Sequence, residues 1–195
     1  MSRSNHEAAL EQIWSLLLNA ESTPYIGEPI SQMEHGLQAA DRAAYLGAGP
    51  ALVLAALLHD VGHLLDNHEQ MDTLGVKDHE GIGADYLASL GFSEQVCELV
   101  RLHVDAKRYL CSKTPRYLSK LSDASLATLK WQGGPMTARE CRTFEAHERF
   151  KDALRLRSFD EYAKRTDIRS GNRERYRALI ATHLRESKGH RHATP

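Results

Sequence analysis

The stretch ALVLAALLHDVGH, residues 51–63, decides the fold. Eight apolar residues, 51–58, run into His59 and Asp60, and Pro50 stands just ahead of them, where a proline suits the first turn of a helix. The run is far too short to cross a bilayer, so it reads as a buried helix delivering an imidazole and a carboxylate into the interior. A His-Asp dipeptide alone carries little information. Its company carries more. His35 lies upstream, and His79, His103 and Asp167 lie downstream, each in a helical or helix-terminal setting. Five nitrogen and oxygen ligands plus one carboxylate able to bridge are the inventory of a two-metal site.

Outward from that stretch the chain reads as helices throughout. Apolar residues at helical spacing mark 7–19, which Pro24 and Gly27 then break. A second helix is expected over 29–46, closed by Gly47 and Gly49, before the helix that Pro50 opens. Residues 65–76 are polar and acidic, hence a loop. Helices follow near 77–90 and 93–108, with Ser93 as an N-cap. Residues 115–136 are less regular, and helices resume over 138–150, 152–164 and 173–185. Neither a period-2 strand, a repeat nor an interdomain linker stands out. The fold class is all-α, with residues 1–195 expected to form one domain and 188–195 a flexible tail.

Composition narrows the partners. Of 195 residues, 42% are hydrophobic and 26% charged, as in an ordinary soluble globular protein. The net charge of −1 gives no reason to expect nucleic acid as a partner. No stretch is long and apolar enough for a membrane span, and residues 1–12 (MSRSNHEAALEQ) lack an apolar secretory core, so a cytoplasmic location is expected. Cys97, Cys111 and Cys141 are far apart and odd in number, which suits reduced structural thiols.

Spacing arranges the candidate ligands. His59 and His63, four apart, are expected on one helix face, with Asp60 about 100° around from His59. His79 falls in the first turn of its helix and His103 in the last turn of the next. Lys107, four beyond His103, shares its face, whereas Arg108 points elsewhere. A cation beside two metals suggests a substrate with a phosphate-like or carboxylate group. Plainer readings stand beside these. His35 alone would be a satisfied buried histidine, Asp167 would pair with Lys164 and Arg165 or cap a helix, Ser125 would cap a helix, and Tyr25 would be a packing residue.

The order His35, His59-Asp60, Asp167 resembles the HD-domain superfamily, a helical bundle with its metal site in the core. His79 and His103 make it similar to the dinuclear-iron branch. Segments YIGEPISQMEH, LAALLHDVGH, HEGIGADYLASLGFSE, HVDAKRYL, LSDAS, QGGPM and KRTDI, within residues 25–168, resemble the small HD-domain oxygenases that cleave the carbon–phosphorus bond of hydroxylated aminoethylphosphonates. The resemblance implies two irons, ferrous and ferric. His35, His59, Asp60 and Asp167 would hold one, His79 and His103 the other, and Asp60 would bridge them. Tyr25 would occupy an iron position until substrate displaces it, acting with His63 in catalysis, and Glu28 would pair with the substrate's cationic nitrogen. His63, Lys107, Ser125, Lys164 and Arg165 would grip the phosphonate.

The implied reaction uses O2 to remove the C1 hydrogen and break the C–P bond. The products are phosphate and glycine from 2-amino-1-hydroxyethylphosphonate, or phosphate and glycine betaine from its trimethylammonio analogue. The substrate supplies all four electrons, so no external reductase is expected. Glu28 suits the primary amine, whereas rings from Tyr45, Tyr86, Tyr109 and Trp131 would suit the quaternary one. Two alternatives remain at this stage: a metal-dependent phosphohydrolase acting on a phosphate ester, and a non-catalytic binding module.

Overall fold

Ten α-helices and one 3-10 turn account for the ordered elements in the computed structural model, which describes residues 3–25, 27 and 29–187. They are α1 Arg3–Asn19, α2 Gln32–Tyr45, α3 Pro50–Leu58, the 3-10 turn Val61–Leu64, α4 His79–Leu90 and α5 Glu94–Lys113. Then follow α6 Pro115–Leu118, α7 Asp123–Trp131, α8 Ala138–Glu145, α9 Phe150–Tyr162 and α10 Arg173–Glu186. Among the described residues, pairing of extended chain is confined to two isolated bridges, Pro24 with Ser31 and Gln70 with Val76. The tail 188–195 lies outside the described residues.

Local chemistry sets most helix starts. Ser31 accepts from the Glu34 N–H at 3.1 Å at the head of α2, and Ser93 accepts from Val96 at 3.4 Å at the head of α5. Thr137 and Glu140 form a reciprocal capping box on α8. Each such cap contributes about 1 kcal/mol. Gly91, at φ +94°, ends α4 in the left-handed conformation that costs glycine nothing.

Helix α3 is the centre of the bundle. Leu52 through Leu58 are all buried, so no side of it after the first turn faces water, which explains why its sequence lacks amphipathic spacing. Helices α2, α5, α9 and α10 pack around it, α4 pairs with α5, and α1 lies on α10. Fully buried Leu37, Leu54, Leu58, Leu87, Leu99, Leu156 and Tyr176 belong to one apolar cluster that joins these elements. Each large aliphatic side chain removed from water contributes roughly 1.5–3 kcal/mol. Two smaller clusters, around Phe144 and around Leu129, anchor α8 and α7.

Close backbone approaches bring the elements together where the ligands sit. A Cβ on Gly36 would lie 2.6 Å from the Leu57 carbonyl oxygen, so glycine lets α2 press onto α3 beside His35. A Cβ on Gly62 would lie 2.0 Å from the His79 carbonyl oxygen, locking the 3-10 turn against the head of α4. The cysteines Cys97, Cys111 and Cys141 are buried and form no disulfide. No helix among the described residues is long and apolar enough to cross a membrane.

Candidate metal centre

Four imidazoles and two aspartates meet in the interior, and they meet as two groups. In the first, His35 Nε2 lies 3.1 Å from His59 Nε2 and 3.5 Å from Asp160 Oδ1, and His59 Nε2 lies 3.9 Å from the same oxygen. In the second, His79 Nε2 lies 3.1 Å from His103 Nε2, and the two lie 3.5 and 3.6 Å from Asp60 Oδ1. Asp60 joins the groups, because its other oxygen, Oδ2, sits 3.6 Å from His35 Nε2 and 3.5 Å from His59 Nε2. Ligands about 2.0–2.2 Å from one ion stand roughly 3.0–3.5 Å from each other, so most of these separations suit donors that share a cation. Asp160 Oδ1 is buried with no hydrogen-bond partner, as a ligand atom facing a cation would be.

The outer nitrogens fix the orientation. His35 Nδ1–H donates to the Ala163 carbonyl at 2.8 Å, using an oxygen freed at the end of α9. His59 and His103 donate from Nδ1 to the carbonyls three residues back, Ala56 and Val100, at 2.9 and 2.6 Å. Each therefore turns a bare Nε2 inward, the form that binds metal.

Asp167 is a correction. Its side chain is 62% exposed and takes both oxygens to Arg165, far from the imidazoles. Helix α9 ends at Tyr162, and the chain beyond crosses α2, where Gln38 holds the Arg165 carbonyl, leaving Asp167 on the outside of that loop. Asp160 stands where Asp167 was expected. A signal for it did exist: Ala153, Leu156 and Ala163 mark the buried stripe of α9, and Asp160 falls on that stripe. Arg165, expected on the substrate, is also turned outward, over the Tyr162 ring and onto Asp167. His59 and His63 do not share a helix. Residue 59 caps α3 and His63 belongs to the 3-10 turn that begins at Val61, so the helix breaks at the His59–Asp60 pair itself. His103 lies mid-helix, since α5 continues to Lys113.

A pocket opens on the paired groups, with a cavity of about 50 Å³ lined by Tyr25, Asp60, His63, His79, His103, Lys107 and Ser125 among others. Lys107 Nζ donates to Thr128 at 2.9 Å. Lys164 Nζ donates to Ser125 at 3.2 Å, while Ser122 rather than Ser125 caps α7. His63 stacks on His79 with ring centres 3.9 Å apart, and its Nδ1 accepts the Val76 N–H at 3.0 Å, which puts its own proton on Nε2 when neutral. Tyr25 stacks on His35 at 3.9 Å. Its loop is pinned at the stem by Tyr25 N–H to the Ile30 carbonyl, and Gly27 presses onto Ala124 at the pocket rim. Glu28 lies outside the described residues. Arg157, Thr128 and Gln132 were not legible as lining residues from sequence.

Burial shapes the charges. It drives Lys107 down to about 7, helped by Arg157, and His103 down to about 4, helped by His59. Burial opposes ionisation of Asp160, but Arg157 and then His35 hold its carboxyl well below the usual carboxylate range. The imidazoles around Asp60 outweigh its burial in the same way. Burial pushes Glu80, beside His79, up to about 7.

Two aspartate-linked groups of histidines inside a helical bundle now stand beside the sequence comparison. The HD domain family model matches residues 33–146. The chain belongs to the HD-domain family. It is 38% identical over 170 residues to the 1-hydroxy-2-(trimethylamino)ethylphosphonate dioxygenase (glycine-betaine-forming) of Leisingera caerulea, covering 86% of each chain. It is 37% identical over 182 residues to the hydroxymethylphosphonate dioxygenase of Gimesia maris, covering 91% of this chain and 90% of that one. An uncharacterized protein, L432, of Acanthamoeba polyphaga mimivirus is 39% identical over 166 residues, covering 84% of this HD-domain chain and 76% of the viral one.

Proposed function

We propose that the chain is a dioxygenase that uses O2 to cleave the C–P bond of a hydroxylated phosphonate, with two iron ions held by His35, His59 and Asp160 on one side, His79 and His103 on the other, and Asp60 between. The carrying observation is the division of Asp60's two oxygens between two pairs of imidazoles at the floor of a cationic pocket. Two HD-domain relatives that carry phosphonate dioxygenase names support the oxygenase over the hydrolase. Imidazole and carboxylate donors suit iron.

When bound, the ions would relay electrons from the substrate to dioxygen and supply positive charge that acidifies the substrate hydroxyl. The side chains do the rest. Lys107, Arg157 and the Lys164–Ser125 pair present positive charge and donors where a phosphonate would lie. His63, with its proton on Nε2, is a further donor to that group. Tyr25 covers His35, and Gly27 lies against Ala124 beside the pocket. The overall change balances without an added reductant: R–CH(OH)–PO3²⁻ and O2 give R–COO⁻, HPO4²⁻ and H⁺.

Of the rings weighed for a quaternary ammonium, none lines the pocket. Tyr45 is 81% exposed at the end of α2, Trp131 is exposed on α7, Tyr109 packs on Phe144 and Phe150, and Tyr86 lies against the main core. This favours a compact head group, such as a hydroxymethyl or a primary amine, over the trimethylammonio one. Phosphate release from hydroxymethylphosphonate, 2-amino-1-hydroxyethylphosphonate and its trimethylammonio relative, measured in air and under strict anaerobiosis, tests both points. Release is expected only in air, and fastest with one of the two compact substrates. Release that persists without oxygen refutes the oxygenase.

A further inference from the structure

Three of the four imidazoles at the centre lean on backbone carbonyls through Nδ1, and the fourth does not. His79 Nδ1 is buried and has no hydrogen-bond partner, and so is Glu80 Oε2. The two atoms are 3.4 Å apart. Both atoms are buried, and a buried polar atom left without a partner is costly. Among the described residues no lysine or arginine pairs with Glu80, and His79 is its one ion-pair partner. Neighbouring side chains on a helix do not ordinarily face each other. Here they do, at the first turn of α4, directly after Asp78 in the left-handed conformation at φ 57°.

We propose that Glu80 is a positioning residue: its carboxylate accepts a hydrogen bond from His79 Nδ1–H, orients the imidazole toward the second ion, and makes Nε2 a stronger donor to it. The proposal rests on the two-metal reading above. A carbonyl acceptor, as at His35, His59 and His103, is neutral and leaves the ring an ordinary neutral donor. A carboxylate acceptor pulls on the Nδ1 proton and makes Nε2 a stronger electron donor. His79 is therefore the most basic of the four imidazoles, which tightens its hold on the ion at Asp60, His79 and His103 and lowers that ion's midpoint potential. Among the four imidazoles, His79 is the one whose Nδ1 faces a carboxylate and not a carbonyl.

Glu80 also sits at a helix head, where an anion would stabilise α4 with no metal involved. Glu80→Gln separates the roles, since an amide oxygen can still accept a hydrogen bond but brings no charge. Protein loaded anaerobically with ferrous iron would be challenged with a ferrous chelator, and its redox midpoint followed by electron paramagnetic resonance. Glu80→Ala is expected to hold the second iron about 10–100-fold more weakly, leaving near one iron per chain where the parent keeps two. Glu80→Gln is expected to keep both irons with a midpoint shifted to higher potential. Two irons held as tightly in Glu80→Ala as in the parent, together with an unchanged midpoint in Glu80→Gln, overturn the proposal. A parent chain that takes up fewer than two metals overturns this proposal and the reading beneath it.

Discussion

Arg157 donates from Nη1 to Asp160 Oδ2, one helical turn away, and so leaves Asp160 Oδ1 as the oxygen turned toward His35 and His59. The guanidinium is itself steadied by the Tyr117 hydroxyl at 2.6 Å and by Glu161. A buried anion is tolerable because this cation stands behind it, and its inner oxygen stays ionised and available.

From that pair comes the contrast between two aspartates. Asp160→Asn should lose the metal at His35 and His59 and cut turnover by at least about 100-fold. Asp167→Asn should change stability by no more than about 0.5 kcal/mol and keep its metals, since it breaks one exposed ion pair. Metal content per chain and phosphate release check both. Equal behaviour of the two variants would return the ligand question to the loop.

A second expectation concerns pH. Burial brings Lys107 down to about 7, so the cationic form that attracts a phosphonate is present below about pH 7 and lost above it. Saturation should weaken on the alkaline side in the parent. In Lys107→Arg the guanidinium stays charged and that alkaline limb should disappear. Lys107→Met should raise KM by about 10–100-fold, the equivalent of about 1.5–3 kcal/mol for a charged hydrogen bond. Superimposable KM–pH profiles for the parent and Lys107→Arg would exclude this residue as the group responsible.

Packing supplies a third. Gly62→Ala forces a methyl to within 2.0 Å of the His79 carbonyl oxygen, and backbone on both sides must move. The cost should reach about 2–3 kcal/mol, lowering the thermal midpoint by about 4–12 °C. Gly47→Ala, with nothing near its Cβ, is strained only by its φ of +67° and should cost about 1 kcal/mol. Calorimetry of both variants, metal-free, reads the difference; a Gly62→Ala midpoint equal to that of Gly47→Ala contradicts it.

Chelation gives a fourth. Because His35, His59 and His103 are braced by carbonyls, the metal-free chain should keep its helices and lose only the metal's contribution. With free metal at 100 times its dissociation constant, that contribution is about 2.7 kcal/mol per ion and about 5.4 kcal/mol for two, or a fall of roughly 11–22 °C in the midpoint on removal. Circular dichroism before and after chelation measures both quantities. Collapse of the helical signal at 25 °C would mean that the metals build the fold rather than occupy it.

Much of this was open to reading in the chain itself. The apolar run after Pro50, the glycines between helices and the capping serines announce an all-α bundle, because each acts locally. The histidines were legible as a set, since each alone reads as a satisfied buried ring whereas several share the context of a polar residue within apolar helix. Asp160 lies on the buried stripe of α9, but the resemblance runs through the KRTDI segment and so points to Asp167 instead. Arg157, Thr128 and Gln132 reach the pocket only through the packing of α5, α7 and α9, which no local pattern in the sequence encodes.

The carbonyl braces have one more consequence. Ligands already aimed by their own helices need little rearrangement to receive an ion, so most of the ordering entropy is spent when the chain folds, before any ion arrives. A cradle of nitrogen and oxygen donors accepts several divalent ions of similar size, with affinities that rise from manganese to copper. Which element fills it in a cell is then decided largely by supply.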